Sequence, residues 1–558
     1  MSHDTAFADA CTASSIPVPK LFGVEVTSIQ AATIANASYS APYPSSVWSK
    51  TQASGLNYCD IQIAYTHPGQ NDNVTITLYL PQTSEWNGRF AASGGGGWSA
   101  KAGHQSLIRA LDGGFAVAET NGGAPSSTFF SSSSWALSSP GNPDLQRLNS
   151  WASNTLHEMA VIGKDVTESF FGRPPSYNYW IGTSGSGRQG YMMAQRYPED
   201  FDGIAAIAPA VNWAQVFPTL AWPTQIMHEL GYAPPKCEVA ALVAAAVDHC
   251  DKDDGVVDGV ISSPELCTFD ATTMIGERFD CDGTSKTFSA DVAKIMQHAW
   301  TGLQTAYGNP TWYGYAKDTP LASGPFLNVL STSCTEADEC TPVGMPLSDD
   351  WFRYWLAADP DFDLSNMTRA KFLRLAHLGE QRYGSIIGTR DPDITAFRDA
   401  GGKMITWHGM TDNLIPYGGS VDYHDRVRQV DASVDDYFRL FLAPGTGHGW
   451  PGNGPFPYAV LDDLINWVEK GIAPDQLVAH DITRIDPATG KLKGSEAENA
   501  ERGRPLCLHP RVQTYVSGDP DMLSSFRCVM PESAVSASDG KQARFGTGSM
   551  SIGSLFGY

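Results

Sequence analysis

Residues 179–190 read YWIGTSGSGRQG, a short apolar strand followed by a glycine-rich turn. This pattern is typical of a nucleophile elbow, in which a serine stands on a sharp turn between a strand and a helix. Ser184 is the candidate nucleophile, and the backbone N–H of Gly185 is a candidate donor to the oxyanion that forms on attack. The strict G-x-S-x-G pattern fails at Ser186, but centring it on Ser186 would put Ser184 where the first glycine belongs.

A second pattern overlaps the first. Gly185, Gly187 and Gly190 form G-x-G-x-x-G between a predicted strand and a predicted helix, as in dinucleotide-binding folds. That fold also needs an acidic residue at the end of the next strand to hold the ribose. The next apolar segment, residues 203–209, reads GIAAIAP and ends without one. The sequence therefore favours the elbow.

A serine nucleophile needs a histidine base and an acid, and in this type of fold the acid precedes the histidine in the chain. The apolar stretch 403–409 leads into a loop that contains Asp412. The next apolar stretch, 437–442, leads into a glycine-rich loop that contains His448. Because functional side chains often lie in loops that a rigid sheet positions, we predict Asp412 as the acid and His448 as the base. His408, at the end of the first stretch, is predicted to be a packing residue.

An oxyanion hole is predicted upstream of the serine. Residues 89–98 read RFAASGGGGW, a short strand that ends in four glycines, as in the HGGG-type loop of esterases. Glycine lets backbone N–H groups turn toward a reacting carbonyl oxygen at no steric cost. Gly95, Gly96 and Gly97 are therefore candidate donors together with Gly185, and a plain surface turn is the alternative.

Together these segments resemble the tannase and feruloyl esterase family, secreted serine esterases with an α/β-hydrolase core and a large lid. The resemblance runs from about Cys11 to Cys528 and rests on residues 94–98, 182–198, 407–416 and 447–455. It implies an α/β fold with a mainly parallel sheet, and it places Ser184, Asp412 and His448 on the family's triad positions. Alternating strand and helix patterns, with helices predicted at 151–171 and 458–470, favour the same fold. We place the core at 1–212 and 388–558, with the lid at 213–387 between them.

The chain departs from the family at two positions. Members usually carry cysteines directly before the nucleophile and directly after the histidine, joined in a disulfide. This chain has Thr183 and Gly449 there. If the loops keep the family's arrangement, the Cα atoms of these two residues should lie within roughly 7 Å.

The predicted lid contains an acidic, glycine-punctuated loop, CDKDDGVVDGV at residues 250–260. Calcium takes about six to eight oxygen ligands, which such a loop can supply from side chains and backbone together. The loop does not match the EF-hand pattern. The resemblance implies a structural calcium ion (Ca2+) held by Asp251, Asp254 and Asp258 and by the carbonyl groups of Val256 and Val260. A solvated acidic turn is the alternative.

The chain has ten cysteines, an even number that fits an oxidising compartment. Many connectivities are open, and position and family resemblance together imply the pairs Cys11–Cys59, Cys237–Cys281, Cys250–Cys267, Cys334–Cys340 and Cys507–Cys528. Glycosylation sequons begin at Asn36, Asn73 and Asn366. We therefore expect a secreted glycoprotein. The first residues, MSHDT, have neither a basic patch nor an apolar core, so we expect no signal peptide in this chain.

The net charge of −23 argues against nucleic acid and anionic membranes as partners. No apolar run reaches the roughly 18 residues of a membrane-spanning helix. The predicted lid is rich in aromatic residues, most of them expected in its core and a minority lining a slot for a flat phenolic group: Trp222, Trp300, Trp312, Tyr313, Tyr315, Trp351, Phe352, Tyr354 and Trp355. The tail from 536 to 558 is expected to pack over the surface or to fray.

The residues and the resemblance together predict a serine carboxylic ester hydrolase that acts on esters of aromatic acids such as a hydroxycinnamate, as a feruloyl or chlorogenate esterase does. A tannase that acts on galloyl esters is the alternative among enzymes. A catalytically silent, calcium-stabilised secreted binding protein is the alternative from another class. The sequence does not indicate the alcohol group or the oligomeric state.

Overall fold

The computed structural model describes residues 7–42, 44–124, 129–336 and 339–531. Its centre is a nine-stranded sheet with the strand order β1-β2-β3-β5-β4-β6-β7-β8-β9. The strands are β1 (Glu25–Ser40), β2 (Gln52–Thr66), β3 (Val74–Pro81), β4 (Arg89–Ser93), β5 (Ala116–Thr120), β6 (Tyr177–Thr183), β7 (Gly203–Ile207), β8 (Lys403–Gly409) and β9 (Phe438–Ala443).

The sheet is mainly parallel. From β5 through β4 to β9 every neighbouring pair is parallel, whereas β1, β2, β3 and β5 pair antiparallel. Strands with helices on both faces lose the alternation of polar and apolar residues, and β7, GIAAI, is buried throughout. This confirms the predicted α/β fold. The parallel direction also brings the carboxyl ends of β4, β6, β8 and β9, which precede the predicted site residues, to one edge of the sheet.

The longer helices are α1 (His104–Asp112), α2 (Thr155–Phe171), α3 (Gly185–Arg196), α4 (Trp213–Leu230), α5 (Lys236–Cys250), α6 (Ala290–Thr301), α7 (Arg369–Ile387), α8 (Gly418–Val430) and α9 (Val460–Lys470). Side-chain oxygens of Ser289 and Thr368 cap the starts of α6 and α7. The helix predicted at 151–171 begins as a π-helical turn, Ser150–Asn154, before α2. The helix predicted at 458–470 is observed as α9.

Helices α4 to α7 lie between β7 and β8 in the chain, within the predicted lid. Shorter helices span Leu145–Asn149, Pro346–Asp350, Thr395–Asp399 and Glu496–Glu501, and a π-helical turn spans Trp351–Leu356. Two-stranded pairings outside the main sheet join Leu137–Ser139 to Asn142–Pro143, Arg278–Cys281 to Thr284–Thr287, Ser331–Cys334 to Cys340–Val343, Gln476–Ala479 to Arg504–Cys507, and Val512–Tyr515 to Phe526–Val529.

An aromatic cluster joins the core to the predicted lid. Trp98, which directly follows the four glycines, is fully buried and lies 5.3 Å, centroid to centroid, from Trp213. Trp351 and Trp355 of the predicted lid stack on Trp98 at 6.1 and 6.0 Å. Most of the aromatic residues predicted for the lid core are buried, and Tyr313 and Tyr354 are partly buried. Large buried rings contribute strongly to packing energy, so this cluster fixes the glycine loop against the lid.

The structure joins the ten cysteines in the five pairs that the resemblance implies. Within the described part of the chain, no helix combines the length and the apolarity that crossing a membrane requires. The tail at 536–558 and the first five residues lie outside the described residues.

Candidate active site

Ser184 stands between β6 and α3 with φ 65° and ψ −124°. A positive φ is uncommon for a residue with a Cβ, and it is the strained geometry of a nucleophile elbow. The turn is tight, because a Cβ on Gly182 would lie 2.1 Å from Ser186 Oγ, and one on Gly187 would lie 2.7 Å from Ile207 O. The glycines at both positions are therefore required, and Ser184 is presented at the carboxyl edge of the sheet.

Ser186 faces the interior. It is 2% exposed, and its hydroxyl oxygen accepts a hydrogen bond from the backbone N–H of Gly94 at 2.9 Å. Its carbonyl oxygen accepts a hydrogen bond from Trp180 Nε1 at 2.9 Å. The serine that breaks the strict elbow pattern thus links the elbow to the glycine loop, which a glycine at this position would not do.

The glycine loop after β4 lies against the elbow. A Cβ on Gly185 would stand 3.0 Å from Gly95 O and 3.5 Å from Gly96 Cα. Gly95 was predicted as an oxyanion donor, but its N–H donates to Ala100 O at 2.9 Å. This N–H is therefore not free to bind an oxyanion. Gly96, Gly97 and Gly185 remain the candidate donors to an oxyanion.

Asp412 and His448 meet at the same edge of the sheet. His448 Nδ1 lies 2.6 Å from Asp412 Oδ2, and both residues are buried. Asp412 Oδ1 accepts hydrogen bonds from the N–H groups of Leu414 and Ile415, each at 2.8 Å. Burial alone would raise the pKa of Asp412, but the charge of His448 and the hydrogen bonds from His448 and His408 hold it well below its usual value. The carboxylate therefore stays ionised and keeps the proton of His448 on Nδ1.

His408 has a more specific position than the packing role predicted for it. It is fully buried, and its Nε2 lies 3.0 Å from both Asp412 Oδ2 and Ile415 O. Because both partners are acceptors, Nε2 carries the proton, and Nδ1 accepts from the hydroxyl of Ser420 at 2.8 Å. His408 thus adds a fourth donor to the carboxylate of Asp412. Its place at the end of a strand, four residues before Asp412, is the sequence feature that could have indicated this contact.

Thr183 and Gly449 are in contact across the site. A Cβ on Gly449 would lie 2.6 Å from Thr183 Cγ2, so ordinary bond lengths put the two Cα atoms within about 7 Å, as predicted. The hydroxyl of Ser46 forms a hydrogen bond with that of Thr183, and the carbonyl of Ser46 accepts from Trp407 Nε1 at 3.2 Å. The segment around Ser46 thus crosses the junction where the family usually has a disulfide.

Cysteines introduced at Thr183 and Gly449 are expected to form a disulfide in the folded protein. The closed loop spans 449 − 183 = 266 residues. Chain-entropy arguments give about 5 to 6 kcal/mol for a loop of this length, and disulfides usually deliver about 2 to 4 kcal/mol of stabilisation. Gly449 has φ 70°, and a side chain there costs about 1 to 2 kcal/mol, so we expect a net stabilisation of about 1 to 3 kcal/mol. Chemical denaturation of the oxidised double variant, beside the Thr183→Cys single variant, measures it. Two titratable thiols in the unfolded, oxidised double variant would contradict the contact.

The acidic loop has a dense hydrogen-bond network. The two carboxylate oxygens of Asp251 accept from the N–H groups of Asp258 and Gly259 at 3.2 and 2.9 Å. Asp258 pairs with Arg504. Asp318, which sequence reasoning missed, lies near Asp251 with its Oδ1 buried and without a partner, and burial raises its pKa to about 6. An orphaned buried carboxylate oxygen beside other carboxylates fits a cation better than it fits a solvated turn.

Among the described residues, one other group of potential ligands lies far from the acidic loop in sequence. His424, Asp425 and His509 place ligand atoms within 4.8 Å of one another. His509 Nε2 and Asp425 Oδ1 already share a 2.8 Å hydrogen bond. These two residues are therefore satisfied without an ion.

Comparisons with known proteins identify the family of this chain. The family model for tannase and feruloyl esterase matches residues 59–529. A probable feruloyl esterase of Arthroderma benhamiae is 34% identical over 520 residues, which cover 92% of this chain and 93% of that protein. The tannase of Aspergillus oryzae is 29% identical, covering 96% and 95%. The structure of a tannin acyl hydrolase from Aspergillus niger superposes with a TM-score of 0.80 at 25% identity, covering 94% of this chain and 95% of that one.

The match spans most of the chain, and the mainly parallel sheet is that of an α/β-hydrolase. The chain belongs to the tannase and feruloyl esterase family and is a carboxylic ester hydrolase.

Proposed function

We propose that this enzyme hydrolyses esters of phenolic acids with Ser184 as nucleophile, His448 as general base and Asp412 as the acid that orients it. The observation that carries the proposal is the 2.6 Å hydrogen bond from His448 Nδ1 to Asp412, beside an elbow that presents Ser184. Contact between Thr183 and Gly449, the immediate neighbours of Ser184 and His448, supports the same assignment. Family membership favours an active hydrolase over a catalytically silent binding protein.

In this mechanism Ser184 Oγ attacks the ester carbonyl while His448 Nε2 takes its proton. The carbonyl oxygen becomes an oxyanion, and the N–H groups of Gly185 and of Gly96 or Gly97 stabilise it. Collapse of this intermediate breaks the bond to the alcohol, which leaves with the proton that His448 returns. Water then attacks the acyl-enzyme by the same route, with His448 taking its proton, and releases the acid and free Ser184.

We assign a hydroxycinnamoyl group as the preferred acyl group, because the relative at 34% identity bears the name probable feruloyl esterase. A galloyl group is the second candidate, since a tannase is 29% identical over nearly the whole chain. The test compares kcat/KM for methyl ferulate and methyl gallate. We expect methyl ferulate to be favoured by about tenfold or more, within the range that pocket contacts supply. A preference for methyl gallate would make the enzyme a tannase.

We also propose that the acidic loop binds a structural calcium ion through Asp251, Asp254 and Asp258 and the carbonyl groups of Val256 and Val260, with Asp318 as a further ligand. Support comes from the buried, unpartnered oxygen of Asp318 and from the pKa of Asp254, which burial raises and the nearby Asp258 raises further. A bound cation would offset the cost of the unpartnered Asp318 oxygen and of the buried Asp254 carboxylate. It would also hold in one conformation the loop that the Cys250–Cys267 disulfide closes.

Removal of calcium is expected to lower the melting temperature, because a ligand that binds only the folded state stabilises it by mass action. Asp318→Asn should reproduce the loss and abolish the response to added calcium. Asp253→Asn is the matched control, since Asp253 is an exposed acid of the same loop with no proposed role. The readouts are melting curves with and without chelator and metal content by elemental analysis. If no calcium is bound and the melting curves with and without chelator are identical, the loop is a solvated acidic turn.

We further propose that the protein is secreted and glycosylated. Asn36, Asn73 and Asn366 are all exposed, as acceptor sites must be, and five disulfides suit an oxidising compartment. Intact mass before and after endoglycosidase treatment of protein from a eukaryotic host tests the modification.

A further inference from the structure

Three phenylalanine rings form an exposed cluster that sequence analysis did not single out. The Phe129 and Phe130 centroids lie 4.8 Å apart, and Phe326, from the predicted lid, lies 5.6 Å from Phe129 and 6.0 Å from Phe130. Phe130 is 45% exposed and Phe326 is 53% exposed. Large apolar side chains that are both clustered and exposed are uncommon and mark surfaces that bind something.

Short contacts connect this cluster to the oxyanion loop. A Cβ on Gly96 would lie 3.1 Å from Phe129 Cε2, and the carbonyl of Phe129 accepts the N–H of Trp98 at 2.9 Å. Gly96 in turn lies against Gly185, the neighbour of Ser184. Phe129 is therefore two contacts away from the residue that follows the proposed nucleophile.

The third ring is tied to the loop of the proposed acid. Phe326 lies in a lid turn in which the N–H of Gly324 donates to Asn328 Oδ1 at 2.6 Å. The side chain of Asn413, which directly follows Asp412, donates to the carbonyl of Leu327. Core and lid therefore hold the three rings together at the side of the site where the oxyanion loop lies.

We propose that Phe129, Phe130 and Phe326 form the subsite that receives the planar aromatic ring of the ester substrate, an inference that rests on the function proposed above. Aromatic rings stack in offset or edge-to-face arrangements, and the exposed surfaces of Phe130 and Phe326 offer such contacts to the ring of an ester bound beside the oxyanion loop. Most of the nine aromatic residues predicted for the lid are buried, as expected of a lid core, so they leave little exposed ring surface.

The ring can belong to the acyl group or to the alcohol, and three substrates separate these cases. Methyl ferulate carries the ring on the acyl side, p-nitrophenyl acetate carries it on the alcohol side, and vinyl acetate carries none. The variants are Phe130→Ala and Phe326→Ala, with Phe326→Leu to keep apolar volume without the ring. Phe22→Ala is the control, since Phe22 is fully exposed in the segment before β1. Phe129 is left unchanged because it contacts the oxyanion loop.

We expect Phe130→Ala and Phe326→Ala to lower kcat/KM about 10- to 100-fold for methyl ferulate, mainly through KM, with vinyl acetate changed by less than about twofold. Phe326→Leu should recover only part of the loss, and Phe22→Ala should match the wild type. A loss confined to p-nitrophenyl acetate would support the subsite and assign it to the alcohol ring. Equal losses on vinyl acetate, or none on either aromatic ester, would overturn it.

The failure of this proposal is separable from that of the proposed function. A wild-type enzyme that cleaves vinyl acetate but neither methyl ferulate nor methyl gallate contradicts the substrate class. The subsite is then judged on p-nitrophenyl acetate alone. Melting curves of each variant show whether a loss of activity comes from unfolding.

Discussion

Ser184→Ala is expected to lower kcat by about 10⁴-fold or more, because the covalent step disappears and only binding and the oxyanion donors remain. The folded state should persist, since Ser184 is partly exposed at the elbow and its backbone bond to Ile207 O is kept. Relief of the positive φ strain is not expected, because alanine also carries a Cβ. Steady-state rates with p-nitrophenyl acetate measure the loss.

Ser186→Ala is the matched control, because Ser186 lies only two residues after Ser184. It removes the acceptor for the N–H of Gly94, a buried donor, so we expect a cost of about 1 to 3 kcal/mol in stability. Activity should remain within about tenfold of the wild type at temperatures where the variant is folded. Comparable losses in the two variants, or a larger loss in Ser186→Ala, would remove Ser184 from its assigned role.

Asp412→Asn is expected to lower kcat by about 10³- to 10⁴-fold. An amide in place of the carboxylate no longer holds the proton of His448 on Nδ1, so the imidazole is held in the wrong tautomer for taking a proton from Ser184. The wild-type carboxylate has a pKa well below its usual value, so the activity of the wild type should not fall through titration of Asp412 anywhere near neutral pH. The pH profile of kcat/KM for both proteins measures this.

His408→Gln provides the comparison for Asp412→Asn. Glutamine can still donate an N–H to the carboxylate of Asp412, whereas His408→Leu removes that donor and leaves the hydroxyl of Ser420 without its acceptor. We expect His408→Gln to retain at least about a tenth of the activity and His408→Leu to lose more. An Asp412→Asn enzyme as active as His408→Gln would show that Asp412 does not orient the base.

Local patterns in the sequence predicted the parts of the site that depend on short segments. The elbow around Ser184, the order of acid and histidine, and the alternation of strands and helices follow from a few adjacent residues each, so they are visible before folding. The same patterns did not explain why residue 186 is a serine rather than the usual glycine. Its role required the position of Gly94, which lies 92 residues earlier in the chain.

The remaining features depend on contacts between distant segments, which composition and spacing do not encode. Ser46 and Thr183 are 137 residues apart, and nothing around Ser46 indicates that its segment crosses the junction of the loops that carry Ser184 and His448. Phe130 and Phe326 come from different parts of the chain and look like ordinary core residues until their exposure is known. The boundaries of the lid at 213 and 387 stay a prediction.

Covalent labelling of the nucleophile tests the central assignment most directly. The wild-type enzyme is inactivated with diethyl p-nitrophenyl phosphate, digested, and mapped by tandem mass spectrometry with fragment ions that separate Ser184 from Ser186. We expect one diethylphosphoryl group per inactivated molecule, on Ser184, and no labelling in a His448→Ala variant, which lacks the base that activates the serine. A label on Ser186 or on another residue, or inactivation without a label on Ser184, would contradict it.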